Sequence, residues 1–258
     1  MAYLRDEGLV LRTRNLGEAD KVVTLLTRRR GKIQAAARGA RRARSSLLPV
    51  SQLFAYGQYL VFINRSLHNL SQGQLVHPFR RLREDLNTMA YATYVAELAD
   101  VSLPEEEPYD DGFATTLAAF ELLEKGKHRH QLILYWYQLK MLVILGYQPE
   151  MTVCISCRQP LPTNSVRTGP TLYFDVSEGG CLCPSCASHY ATARPLGLAV
   201  YKSMHYLLST SAWQLADLRM NSTDEACIED LLTSYIEHRL ERHIYSGDFL
   251  RSLRNMQE

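Results

Sequence analysis

The stretch Val22-Val-Thr-Leu-Leu-Thr27, Arg28-Arg-Arg-Gly31, Lys32-Ile-Gln-Ala-Ala-Ala37 decides the N-terminal fold. Two short β-prone runs stand at hairpin distance across a tight, glycine-ended connection. Working outward, Gly8-Leu-Val-Leu-Arg-Thr-Arg14 precedes them, across the polar turn Asn15-Leu-Gly-Glu-Ala-Asp20. After a basic segment come Leu53 to Ile63 and Leu67 to Val76. Five short strands in under eighty residues, with no long helix among them, suit a small closed barrel. An OB-fold is the first expectation, and an SH3-like barrel would show a similar pattern.

From about Phe79 the apolar period becomes helical, with Leu82, Leu86, Met89, Ala90, Thr93, Tyr94, Leu98 and Val101 on one stripe. Pro104-Glu-Glu-Glu-Pro108 interrupts it. Phe113 to Glu124 and Gln131 to Leu145 read as two further helices, and Gly146 stands at a helix stop. Residues 150–194 are turn-rich and carry cysteines. Helical periodicity returns from Leu196 to Leu208 and from Asp224 to about Tyr245, where Ser222-Thr-Asp-Glu225 offers a helix start. The expected class is α+β and multidomain. A five-stranded barrel occupies 1–78, helical segments 79–150 and 195–258, and a four-cysteine, zinc-ribbon-like module 151–194.

The cysteines give the most specific chemistry. Cys154-Ile-Ser-Cys157 and Cys183-Pro-Ser-Cys186 are two C-x-x-C knuckles with 25 residues between them. Each knuckle offers two thiolates from one turn, and two knuckles complete a tetrahedral shell that suits one structural Zn2+. Val166, Leu172, Tyr173 and Phe174 could build the intervening hairpin, turned by Glu178-Gly-Gly180. Cys181 and His189 are spare donors near the second knuckle, and Cys227 reads as an ordinary buried thiol. A closed shell leaves no position for substrate. The sequence also lacks H-E-x-x-H, a phosphate loop, G-x-G-x-x-G and G-x-S-x-G, so no catalytic residue is assigned and a non-enzymatic role is expected.

The formal net charge of +2 conceals a strong asymmetry. Residues 1–80 hold 14 Lys and Arg against four Asp and Glu, whereas residues 81–150 hold six against twelve. From Arg28 to Arg44 there are eight basic residues and no acid: Arg28, Arg29, Arg30, Lys32, Arg38, Arg41, Arg42 and Arg44. Arginine forks grip phosphate oxygens bidentately, so this density on a small β-domain points to a nucleic acid. Phe54, Tyr56, Tyr59 and Phe62 could add base stacking. Alternation places Phe54, Tyr56 and Phe62 on one face and Tyr59 on the other. No apolar run approaches the roughly 18 residues of a membrane span, and the N-terminus lacks a secretory apolar core. A cytoplasmic, nucleoid-associated protein without a membrane partner is expected.

Leu16-Gly-Glu-Ala-Asp-Lys-Val-Val-Thr-Leu-Leu-Thr27, Gly31-Lys32 and Ala36-Ala-Arg-Gly-Ala-Arg-Arg-Ala-Arg-Ser45 together resemble the RecO family of bacterial recombinational repair proteins. Cys154-x-x-Cys157 and Gly179-Gly-x-x-Cys183-x-x-Cys186 extend the resemblance. It implies an N-terminal OB-fold and a zinc module inserted among helices. It also implies binding of single- and double-stranded DNA, annealing of complementary strands, and partnership with RecR. With RecR, such proteins help RecA displace single-strand-binding protein (SSB), whose acidic-hydrophobic tail they contact. Cys154, Cys157, Cys183 and Cys186 match the metal positions, and Lys21, Lys32, Arg38, Arg41 and Arg42 fall in the matched N-terminal stretch. Cys181 departs from the pattern, where an apolar residue is common. Lys202, Arg219, Arg239, Arg242, Arg251 and Arg254 supply C-terminal positive charge for such a tail. A different class, an RNA-binding OB/zinc-ribbon protein, accommodates the same barrel, basic run and knuckles.

Overall fold

The computed structural model describes residues 3–163, 172–215 and 218–256. Its first five strands are β1 (Tyr3–Leu16), β2 (Asp20–Thr27), β3 (Gly31–Ala37), β4 (Tyr56–Phe62) and β5 (His68–His77). They close a barrel in the order β1-β2-β3-β5-β4. Strand β1 is long enough to serve two neighbours. Tyr3–Leu9 pairs with β4 and Gly8–Leu16 with β2, and a register shift between Val10 and Arg12 turns it from one to the other. Strands β3 and β5 pair in parallel through Ala35 with His68 and Ala36 with Asn69, which closes the ring. This is the five-stranded Greek-key barrel of an OB-fold, here closed.

Alternation fills the interior with Val10, Val23, Leu25, Ile33, Ala35, Tyr59, Val61 and Leu70. A one-turn helix α1 (Leu47–Val50) between β3 and β4 plugs one end with Leu47 and Val50. Tyr59 donates its hydroxyl to the Val50 carbonyl at 2.9 Å, so the core's largest polar group is satisfied.

Helix α2 (Arg81–Glu84) is separated from α3 (Leu86–Ser102) by Asp85, whose carboxylate accepts the Thr88 N–H at 2.7 Å as an N-cap. Next come α4 (Asp110–Lys125) and α5 (His130–Ile144). The cysteine-bearing stretch holds β6 (Leu172–Asp175), β7 (Gly180–Leu182), α6 (Pro184–Ala187) and β8 (Ala193–Leu196), with sheet order β7-β6-β8. Helices α7 (Leu198–Ser209), α8 (Ser222–Leu240) and α9 (Tyr245–Asn255) complete the chain. The expected hairpin of Tyr173 and Phe174, turned by Glu178-Gly-Gly180, is β6–β7; Val166 lies outside the described residues. The helical run expected from Asp224 to Tyr245 breaks at Glu241, which takes φ +50°, and a separate helix follows.

Two compact units organise the chain: residues 1–130 with 244–258, and residues 131–243. In the first, α3 packs on β1, α4 and α9. The Glu97 carboxylate receives the backbone N–H groups of Tyr245 and Ser246 at 3.1 and 2.7 Å, an anion at the N-terminus of α9. In the second, Trp136 and Lys140 of α5 donate to the Thr210 and Leu208 carbonyls at 3.1 and 2.6 Å. Tyr201 and Tyr235 donate to the Met151 and Tyr147 carbonyls at 2.7 and 2.9 Å, holding the chain that leads into the first knuckle.

Candidate nucleic-acid interface and metal centre

The basic run divides where strand β3 begins and ends. On the side of the β2–β3 turn, the cations are met by carboxylates. Arg28 pairs with Glu7 at 2.9 Å and Asp110 at 2.5 Å. Arg30 pairs with Glu106 at 2.8 Å, and buried Lys32 with Asp100 at 3.4 Å and with the Asp100 carbonyl. Arg12, on β1, also reaches Asp100, at 3.5 Å. Glu106 further binds buried His68 at 3.2 Å, and its N–H donates to the Lys32 carbonyl at 2.9 Å. The stretch 104–108 is therefore laid along β3. Gly31, at φ +68°, lies so close to the Glu107 backbone that any Cβ would collide with it. In the sequence Pro104-Glu-Glu-Glu-Pro108 only interrupts a helical pattern; the geometry makes Glu106 a partner of the barrel.

The outer face of β2 is buried as well. Val23 and Leu25 point inward, so Val22, Thr24 and Leu26 point outward, yet all three are buried. The β2 part of the surface that OB-folds commonly offer to ligands is thus buried.

Beyond β3 the situation reverses. Arg38, Arg41, Arg42 and Arg44 are exposed, and among the described residues none forms an ion pair. The loop that carries them is nonetheless anchored to the β1–β2 turn. Asp20 accepts the Gly39 N–H at 2.7 Å, the Ala19 carbonyl accepts the Arg41 N–H at 2.9 Å, and the Gly17 carbonyl accepts from the Arg41 guanidinium at 2.9 Å. Lys21, beside this anchor, has its pKa pulled down by burial and by the Arg41 guanidinium. Two cations held near each other form an anion-receptive edge. Arg29 is exposed, its backbone N–H held by Asp6 at 2.7 Å.

The aromatic residues do not act as a set. Phe54 is fully buried at φ +67° against Phe120, at 5.2 Å between ring centroids, and Tyr59 is in the core. Tyr56 donates its hydroxyl to Glu7. Phe62 meets the exposed ring of Tyr3 edge-on at 5.2 Å.

The four knuckle cysteines converge. The Sγ atoms of Cys154, Cys157, Cys183 and Cys186 all lie within 4.8 Å of one another, a donor set able to hold a metal ion. The first knuckle is registered on β7: Cys181 donates its N–H to the Glu150 carbonyl at 2.8 Å, and Ile155 donates to the Cys181 carbonyl at 3.0 Å. Burial pushes the Cys154 thiol up, but N–H groups of Cys183, Cys157 and Ser156 outweigh it and hold the pKa at about 6. Cys181 lies outside the cluster, and burial pushes its thiol up to about 12. His189 is also outside it. The Gly179-Gly180 motif has a packing reason, because at φ +77° Gly179 leaves no room for a Cβ beside Tyr235 and Arg239. Arg239 lies over Tyr235 and Tyr147, and Arg251 pairs with Asp248 at 2.5 Å. No helix among the described residues is long and apolar enough to cross a membrane.

A closed OB-fold barrel whose loop arginines form no ion pair among the described residues, followed by helices and a four-cysteine cluster able to hold a metal ion, defines a class of OB-fold proteins that carry a four-cysteine module. Residues 1–79 match the family described as Recombination protein O N terminal, and residues 83–247 match Recombination protein O C terminal. The chain is 37% identical to the DNA repair protein RecO of Symbiobacterium thermophilum over 99% of both chains. It is 36% identical to that of a Roseiflexus species over 98% of this chain and 86% of the relative. Against that of Bacillus subtilis it is 33% identical over 96% and 91%. The chain belongs to the Recombination protein O family.

Proposed function

We propose that this chain is a DNA repair and recombination mediator that binds single- and double-stranded DNA and anneals complementary strands without covalent chemistry. The observation that carries the reading is the anchored, exposed arginine loop of Arg38, Arg41, Arg42 and Arg44, with Lys21 beside it. Two strands repel through their phosphates, and a cationic loop that screens one strand lowers that barrier while leaving the bases free to pair. Arg28, Arg30 and Lys32, neutralised by their carboxylates, support the barrel behind this edge, and Arg29 adds an exposed charge. The curated relatives are named DNA repair proteins, in keeping with this role. Partnership with RecR, loading of RecA on SSB-coated DNA and contact with the SSB tail complete the reading, as the family resemblance implies.

The metal is assigned as Zn2+. Zinc–thiolate bonds of about 2.3 Å put the corners of a tetrahedron about 3.8 Å apart, and Cys157 and Cys183 stand 3.9 Å apart. A soft, closed set of four thiolates favours zinc and a structural role. Strand annealing on bare and SSB-coated DNA across salt concentrations tests the proposal, comparing the parent protein with R41E/R42E. Annealing should fall strongly in the variant and weaken with salt. Undiminished annealing at equal protein concentration overturns the reading, as does a clear preference for structured RNA.

A further inference from the structure

The arginine loop accounts for phosphate contact but offers nothing that touches a base. A different surface of the barrel does. On the outer face of β1, β4 and β5, cross-strand rows bring Arg5, Leu60 and Gln72 together, and beside them Glu7, Gln58 and Gln74. Arg5, Gln58, Leu60, Gln72, Gly73 and Gln74 line a depression of about 400 Å³, inside the span of about 300–1,000 Å³ typical of small-ligand clefts. Gln58, Gln72 and Gln74 are exposed, and among the described residues their side-chain amides are bound to nothing else. Three uncommitted amides on one sheet face suit a recognition surface, since each offers both donors and an acceptor.

The charge around the depression favours an anion. Arg5 is exposed and forms no ion pair among the described residues. Arg29 lines an adjoining depression of about 250 Å³ with Arg5, Asp6, Glu7 and Gln58. Both of these carboxylates are already engaged. Glu7 binds Arg28 and Tyr56, and Asp6 receives the backbone N–H groups of Glu7 and Arg29 at 2.9 and 2.7 Å. At one end of the face, the Tyr3 ring, 64% exposed and braced edge-on by Phe62, presents a flat apolar surface.

We infer that this face binds single-stranded nucleic acid through its bases, with Tyr3 stacking a base, the glutamines meeting base edges, and Arg5 and Arg29 taking the flanking phosphates. Amide side chains pair bidentately with adenine, and an exposed ring with flanking cations is how sheet surfaces hold single strands. A duplex hides the base face that Tyr3 must stack on. The inference deepens the proposed DNA-binding function and rests on it, adding a base-reading surface to the phosphate-screening loop.

The test compares the full-length parent, Q58A/Q72A/Q74A with Tyr3→Ala, and R41E/R42E. Each is titrated with a fluorescent oligo-dA and with an abasic oligomer of equal length. The parent should bind oligo-dA at least about fivefold more tightly than the abasic strand, the share of one stacked base. The face variant should lose that preference while keeping the parent's affinity and salt slope for the abasic strand. R41E/R42E should lose affinity for both strands and keep the ratio. Because the face residues are exposed, thermal unfolding of the variant should match the parent; if it does not, Tyr3→Ala alone is used, with a loss of preference of about fivefold or more expected. A parent that binds both strands equally, or a face variant that keeps the preference, overturns the inference and leaves the phosphate-loop function standing. A parent that binds neither strand overturns that function instead.

Discussion

The Asp20 carboxylate accepts the Gly39 N–H at 2.7 Å, so a single acid at the end of the β1–β2 turn fixes the start of the arginine loop. A hydrogen bond to a charged acceptor contributes about 1–3 kcal/mol. Asp20→Ala should cost stability within that range in urea unfolding. It should also weaken single-strand binding severalfold, with the salt slope nearly unchanged, because every arginine is still present. Unaltered affinity would show that the loop needs no fixed shape to bind.

Arg30 and Arg42 are twelve residues apart and differ in whether a carboxylate meets them. Arg30 is matched by Glu106 at 2.8 Å, whereas Arg42 faces solvent. Arg42→Ala should lower the salt slope of single-strand binding by about 0.7, the share of one phosphate contact. Arg30→Ala should leave the slope in place and cost no more than about 1 kcal/mol, as a partly exposed pair does. Titrations from low to high salt on both variants separate the two cases; equal slope losses would mean that Glu106 releases Arg30 to the DNA.

The cysteines make a similar contrast. Cys157→Ser should lower bound metal, measured by elemental analysis, and loosen residues 131–243 in hydrogen exchange. Cys181→Ser should retain full metal and cost about 1–3 kcal/mol, because it places a hydroxyl where a buried thiol packs. Chelation should reproduce the first effect and leave the barrel strands protected.

Asp175 is fully buried, and although burial pushes its pKa up, the Ser177 and Thr192 hydroxyls and the Glu178 N–H outweigh it and hold the carboxylate below its ordinary value. A carboxyl with a depressed folded pKa stabilises the protein above its unfolded value of about 3.9 and loses that contribution as pH falls through the folded pKa. Urea midpoints should therefore be insensitive to this group from about pH 7 to about pH 5 and fall in more acid solution. Asp175→Asn should be less stable near neutral pH and show a flatter acid limb.

Much of this architecture is written locally. Gly31, the polar turn before Asp20 and the two C-x-x-C knuckles each act through near neighbours, so the β1–β2–β3 meander and the cysteine cluster follow from short stretches. The division of the basic run does not, because Arg28 meets Asp110 and Arg30 meets Glu106 across more than seventy residues. One signal of it is present: Val22-Val-Thr-Leu-Leu-Thr27 does not alternate, and a strand apolar on both faces is covered on both. Helix α9 and strand β8 are hard to read for a related reason. Arg194 and Pro195 make β8 look like loop, and α9 exposes Tyr245 and Phe249 on a short polar helix whose start is set by distant Glu97. Phe54 breaks the expected alternation because it precedes β4 in a left-handed conformation.

The attachment of α9 to α3 through Glu97 has a consequence for biosynthesis. Residues 131–243 are an excursion between two pieces of one unit. On the ribosome, the barrel and α3 are made first, but Glu97 meets its partners only after Tyr245 and Ser246 have emerged. The first unit therefore cannot finish folding strictly in order of synthesis. The nascent barrel, with its arginine loop, precedes the completion of its unit by more than a hundred residues of translation.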